Sequence, residues 1–294
     1  MLWAASAVMQ AWSNVTYALD PHALPTPCAG GACGAGGDVP FVGNGHIGHG
    51  GMPDINGNTM TVHQLSEQAI LNWKDFNIGA DKTVVFDQPS VTASTLNHIW
   101  SQDASTIAGH LRANGQVYLV NQNGVLFADG AQVNVGGLVA STLNIKDSTY
   151  LGGLLTGNKG VLDNTYPAVF RNETGSAGNV EIKPGAILST ANGGRIMLLA
   201  PTVINQGQIN TPDGQTILGA GKTIYLAASS DPALRGLLIE VDAGGLSGST
   251  ASNQGTITAE RGNITLAGLL VNQSGRLTAT TSVNANGSIH LAAG

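Results

Sequence analysis

The chain has 294 residues, a formal net charge of −6, only 10% charged residues and 41 glycines. An average soluble protein is about 25% charged, so this surface is made largely of Asn, Thr, Ser and backbone. Hydrophobic residues at 42% in periodic runs exclude a disordered chain, and twelve scattered basic residues exclude a nucleic-acid footprint.

Residues 1–18, MLWAASAVMQAWSNVTYA, are apolar and end in small residues. No basic residue precedes the apolar run, so the segment reads as a signal-peptide remnant cleaved after Ala18. It is too short for a membrane span. Residues 19–53 are rich in Gly and Pro and read as an irregular lead-in. They hold the only two cysteines, Cys28 and Cys33. Their C-x4-C spacing leaves three readings open: a local disulfide, free thiols, or a metal site needing two more ligands. His46 and His49 in GNGHIGHGG form a weak metal pair with no third ligand close in sequence.

Residues 54–100 contain strand-like runs at Met60–Val62, Ile70–Trp73, Thr83–Phe86 and Val91–Thr95. Ser66–Phe76 also fits a short helix, but its Asn-rich context favours strand. From Gly115 to Ile145 the pattern sharpens. Val117/Leu119, Val125/Phe127 and Val133/Val135 alternate with polar residues, and Asn121-Gln122-Asn123-Gly124, Asp129-Gly130 and Gly136-Gly137 break the runs. Period-two alternation between Asn/Asp-Gly breaks predicts half-buried strands joined at tight corners.

Residues 146–177 interrupt this rhythm and are expected to project as an extra hairpin or loop. From residue 178 two elements alternate. One is Asn-Gln-(x)-Gly-x-apolar, at Asn205, Asn253 and Asn272. The other is Gly-x-Ile-x-Leu, or a close variant, with the pairs Ile196/Leu198, Ile224/Leu226, Ile264/Leu266 and Ile289/Leu291. Repeat lengths of 20 residues (Gly255 to Gly275) and 25 (Ile264 to Ile289) suit one turn of a parallel β-helix. Stacked pairs then form a continuous aliphatic core, Asn residues stack as corner ladders, and about ten coils make a rod of ~50 Å at the interstrand spacing. Residues 229–250 interrupt again. The chain stops mid-repeat at Gly294, and the expectation is the front of a much longer protein.

A catalytic β-helix needs carboxylates on adjacent coils to bind calcium or act as acid and base. The nearest same-face pair, Glu240 and Asp242, has no counterpart at matching offsets in flanking coils. No nucleophile elbow, metalloprotease helix or P-loop motif is present. The expectation is therefore no enzyme and no cofactor. Five N-x-S/T sequons, at Asn14, Asn172, Asn263, Asn272 and Asn286, are sites where glycosylation is open.

Three motifs in order resemble a known family. Ala113-Asn114-Gly115-Gln116-Val117-Tyr118-Leu119-Val120-Asn121-Gln122-Asn123-Gly124-Val125 is similar to that family's ANGQVFLINPNGI segment. Leu71-Asn72-Trp73-Lys74-Asp75-Phe76-Asn77-Ile78 resembles its INWxxFNI segment, and Leu96-Asn97-His98-Ile99 with Ile107-Ala108-Gly109 fits the spacing between them. The family is the two-partner secretion (TPS) domain of filamentous haemagglutinin and high-molecular-weight adhesins. The resemblance covers about residues 54–294. One departure is Gln122, where the family usually has Pro; the turn then relies on Asn and Gly alone.

The resemblance implies an all-β, right-handed parallel β-helix with an N-terminal β cap and extra-helical hairpins. The cap is expected over 54–110, supplied by Trp73, Phe76, Phe86 and Trp100, because the first coil's unpaired edge must be covered. Coils are expected over 111–294 with the excursion at 146–177. It also implies a secretion-signal and folding-nucleus domain of a large adhesin, monomeric, secreted through the periplasm to the cell surface. The implied partner is an outer-membrane TpsB-type β-barrel transporter with periplasmic POTRA domains. A host receptor or matrix carbohydrate is expected to be met by the part of the protein beyond Gly294. Few cysteines fit export in an unfolded state. The residues expected to serve recognition and nucleation are Asn121, Gln122, Asn123 and Gly124, with Asn72 and Asn97 behind them; corner packing is their alternative role. Two other readings are the same domain on a contact-dependent inhibition toxin, and a polysaccharide-active enzyme.

Overall fold

A computed structural model describes residues 19–28, 33, 52–154, 169–173, 175, 177–228, 236–244, 248–279 and 288–293. The expected signal remnant, His46, His49, Asn14 and Asn286 lie outside these residues.

The chain winds through three sheets in turn. Ser105–Ile107, His110–Ala113 and Gln116–Val120 make one coil, and Val125–Phe127, Gln132–Val135 and Gly137–Ser141 make the next. Each strand pairs in parallel with its counterpart one coil on: Val117 with Leu138, Val133 with Leu111, Val125 with Ser105. The fold is a parallel β-helix, and parallel crossovers of this kind are right-handed as a rule. Its sheets hold nine, nine and six strands, and a fourth sheet of three lies outside the helix. The first sheet has eight parallel strands from Gln68–Asp75 to Ser288–Ala293, plus the antiparallel edge Thr26–Pro27. Among the described residues there are eight coils where ten were expected, a stack of ~40 Å at the usual interstrand spacing.

Alternation decides which side chains enter the interior. Leu119, Ala140, Leu198, Leu218 and Leu266 stack one above another, all buried in one core. Thr216 interrupts the neighbouring stack of Val117, Leu138, Ile196 and Ile264, and its hydroxyl is satisfied by Thr211 at 2.9 Å. The expected corner ladder is present in its first two members, with Gln273 rather than Asn272 as the third, because Asn272 stands opposite Ser252. Asn205 Nδ2 donates to Asn253 Oδ1 at 2.7 Å, and Asn253 Nδ2 to Gln273 Oε1 at 3.0 Å. Beside it, Gly207, Gly255 and Gly275 stack so closely that a Cβ on Gly255 or Gly275 would lie 2.1 Å from the carbonyl oxygen below. Only glycine fits there.

The N-terminal end is capped more narrowly than 54–110. Parallel pairing already begins at Thr59–His63 with Thr83–Asp87. The antiparallel edge strands are Asp54–Asn56 and Thr26–Pro27. The second lies inside the lead-in read as irregular: its pairing to Gln68–Asp75 gives those backbone groups partners. Trp73, Phe76 and Phe86 fill the interior of the first coils, Trp73 edge-on to Phe76 at 5.1 Å. Trp100, expected to join them, instead sits at the surface, 41% exposed.

Thr223–Ala228 departs from the expected coil position. It pairs antiparallel with Leu237–Asp242 and with Phe170–Arg171. The coil strand at that level is Gln215–Ala220. Both runs alternate apolar residues, but only Gln215–Ala220 is flanked by corners in register with its neighbours. Ile224 and Leu226 therefore form a second core with Phe170, Met197, Leu199 and Ile217 on the outer face of the first sheet. A short helix, Asp147–Leu151, begins the 146–177 excursion, and its Tyr150 enters the same core. Among the described residues no helix is long and apolar enough to cross a membrane.

Candidate recognition and folding site

The corner at 121–124 follows Gln116–Val120 and precedes Val125–Phe127. A chain turning out of one sheet leaves polar backbone groups without ladder partners, and these need other partners when buried. Asn121 supplies them. It is 0% exposed. Its Nδ2 donates to Asp103 O at 3.1 Å and Ser105 Oγ at 3.0 Å, and its Oδ1 accepts from Asn123 N at 2.9 Å. Asn123 Nδ2 donates to Ser101 O at 2.7 Å. Both side chains thus tie the corner to the loop of the preceding coil. Gly124 has φ +131°, and a Cβ there would lie 2.9 Å from Ala104 Cβ. The Gln122 carbonyl accepts from Gly178 N at 2.7 Å, joining the corner to the following coil across the excursion.

Asn72 and Asn97 lie in successive strands of the first sheet. Asn97 is fully buried in line with Leu71 and Leu119. It accepts from Trp73 Nε1 at 2.8 Å and donates to Tyr118 O at 3.0 Å. Asn72 accepts from Trp100 Nε1 at 2.9 Å, and its carbonyl accepts from Cys28 N at 3.1 Å. Each thus anchors a tryptophan. The structure brings 121–124 together as one corner and places Asn72 and Asn97 in a separate strand ladder.

The two cysteines form a disulfide with Cα atoms 5.7 Å apart, beside the capping strand. Among the described residues no group of three or more His, Cys, Asp or Glu side chains is placed to hold a metal ion. Glu240 and Asp242 lie on the outer hairpin, opposite Tyr225 and Thr223, away from any coil. Of the sequons, Asn172 and Asn263 are buried and Asn272 is exposed.

Sequence reasoning missed a buried polar network at another corner. Gln88 Nε2 donates to Gln64 Oε1 at 3.0 Å and Thr95 Oγ1 at 3.1 Å, and Thr95 also bonds Gln64. Asn114 Nδ2 donates to Gln88 O at 2.7 Å, and Gln88 Oε1 accepts from Gly115 N at 2.9 Å. The spacing between Gln64, Gln88 and Asn114, about one coil each, is the signal that would have found it. Tyr118 and Tyr150 also lie buried, rings 5.4 Å apart and edge-on. Burial pushes both phenols above their ordinary range, with the Arg195 charge opposing this at Tyr118 and the Ser94 hydrogen bond at Tyr150.

The sequence model of the TPS secretion domain family matches residues 50–294. Two heme/hemopexin-binding proteins of Haemophilus influenzae are similar: one is 39% identical over 121 residues, 41% of this chain and 13% of its own length. The other is 34% identical over 167 residues, 56% of this chain and 17% of its own length. The chain therefore spans less than a fifth of these relatives. Among solved structures, the HMW1 secretion domain from Haemophilus influenzae superposes with a TM-score of 0.69 at 26% identity, covering 85% of this chain and 61% of that one.

Proposed function

The chain belongs to the TPS secretion domain family, and on that premise we propose that it is the export signal and folding nucleus of a larger surface exoprotein. A partner outer-membrane transporter of the TpsB type, with periplasmic POTRA domains, would read the chain before it folds. The supporting observation is the burial of Asn121. A side chain with no exposed surface and all its polar atoms engaged offers nothing to a receptor once folded. If Asn121 is recognised, it is in the unfolded chain; after export it closes the corner, while Asn123 stays exposed and Gln122 half-buried. The domain acts by pairing and folding, without catalysis.

The physical advantage lies in the parallel edge. Each coil presents a row of backbone donors and acceptors to the next segment that emerges. Each aliphatic side chain then buried contributes roughly 1.5–3 kcal/mol before the ordering entropy is subtracted. Folding outside the membrane thereby disfavours return without nucleotide hydrolysis.

The larger protein reads as an adhesin on the resemblance of its motifs to the filamentous haemagglutinin and high-molecular-weight adhesin family. A second reading is a heme/hemopexin-binding exoprotein, favoured by the names of the two relatives. The domain itself serves either passenger. The test is release of the fragment into the medium from cells with and without the candidate transporter, for wild type and Asn121→Ala. Release of the wild type only with the transporter, and its loss or marked reduction in the variant, is expected. Equal release in all four cultures would remove the export role.

A further inference from the structure

Beside the 121–124 corner lies a surface pocket of about 270 Å³, lined in part by His98, Trp100, Gln122, Asn123, Asn144 and Glu173. Its chemistry is set by which atoms are already committed. The Trp100 indole N–H is spent on Asn72 at 2.9 Å, so the 41%-exposed ring offers carbon surface and no donor. That bond also fixes the ring, which stands 6.2 Å from the His98 ring at 35°. Asn123 spends one amide hydrogen on Ser101 O at 2.7 Å. Asn144 Nδ2 donates to Glu173 Oε2 at 3.2 Å.

Acceptors remain at Asn123 Oδ1, Asn144 Oδ1 and Glu173 Oε1, and donors remain in the second amide hydrogens of Asn123 and Asn144, the Ser101 hydroxyl and the Gln102 amide, which also line the pocket. No lysine or arginine is among the described residues lining the pocket. A site that sets amide donors and acceptors and one carboxylate beside a fixed aromatic face, with no lysine or arginine in its described lining, disfavours phosphates, sulfates and carboxylates. It calls for a ligand rich in hydroxyl groups with one flat face of C–H groups. The volume falls just under the ~300–1,000 Å³ of drug-sized sites, room for one ring and not a chain buried end to end.

We infer that this pocket binds a single uncharged pyranose ring, the terminal residue of a glycan, with Trp100 as its stacking platform. The ring lies on the indole while its hydroxyls donate to Asn123, Asn144 and Glu173. The inference is independent of the export role, since it concerns the folded domain.

The test is a titration of the folded 294-residue chain, labelled with ¹⁵N at tryptophan, with the methyl pyranosides of glucose, galactose, mannose and N-acetylglucosamine, and with choline as the cationic probe. At least one glycoside should shift the Trp100 indole signal and leave that of buried Trp73 in place. Millimolar affinity is expected, roughly what about twelve heavy atoms supply at ordinary ligand efficiency. Trp100→Ala should weaken binding at least tenfold, with an unshifted Trp73 signal reporting an intact fold. Glu173→Gln removes the charge but keeps an acceptor, so affinity should fall less than about fivefold. Silence of Trp100 towards all four glycosides at about 50 mM, a response to choline alone, or a larger loss in Glu173→Gln would each overturn the inference. The wild-type titration decides even where a variant fails to fold.

Discussion

Asn121 holds two coils together with one side chain: two donated bonds to the preceding loop and one accepted from its own corner. An aliphatic replacement leaves a buried carbonyl, a hydroxyl and a backbone N–H to find new partners, at about 1–3 kcal/mol for each that fails. Asn121→Ala should therefore lose about 2–4 kcal/mol in urea unfolding. Gly124→Ala faces both a positive φ and a 2.9 Å contact, and should lose about 1–3 kcal/mol. The buried phenols give a pH signature. In the unfolded chain a tyrosine ionises near pH 10, whereas burial raises Tyr118 and Tyr150 above that. Their contribution is complete below pH ~10 and is lost as pH rises through that value and beyond. Thermal unfolding of wild type should be insensitive to these groups up to pH 9 and weaken above 10; Tyr118→Phe should weaken less. An identical alkaline decline in both proteins would contradict the burial assigned to Tyr118.

At the scale of elements, the coil strands were legible because a side chain that enters a solenoid interior must recur every second residue. Val117/Leu119 and Ile264/Leu266 show that plainly, and the Asn205–Asn253–Gln273 ladder was legible from its repeated dipeptide. Period two does not, however, report whether a neighbour is parallel or antiparallel. Thr223–Ala228 has the alternation of a coil strand, yet it belongs to the outer sheet. The helix Asp147–Leu151 has too few residues to display a period. The network of Gln64, Gln88 and Asn114 was hidden because its members share no local motif, only a coil-length spacing. The outer sheet is more than decoration, since it covers Met197, Leu199 and Ile217. Phe170, fully buried between that sheet and the coils, should cost about 3–5 kcal/mol when replaced by Ala. Hydrogen exchange should then show early loss of protection over 223–242, with the strands at 116–141 still protected. Uniform loss across both would mean the outer sheet and the coils unfold as one unit.

For the whole molecule, the account joins two states of one chain. On the proposed reading the unfolded chain would present Asn121, Gln122 and Asn123 to a transporter; folded, it buries Asn121 and holds the others in a corner between successive coils. The capping strand Thr26–Pro27, beside the Cys28–Cys33 disulfide, covers the edge of the first sheet at one end. The parallel ladders run on from it to Ser288–Ala293. The measurement closest to the claim of two states compares the affinity of the transporter's isolated POTRA domains for two forms of the chain. One is the folded wild type; the other carries Leu138→Asp and Ile196→Asp, stacked interior positions whose charges prevent the coils from closing. The unfolded variant should bind at least tenfold more tightly than the folded wild type. Equal or tighter binding by the folded form would contradict the account.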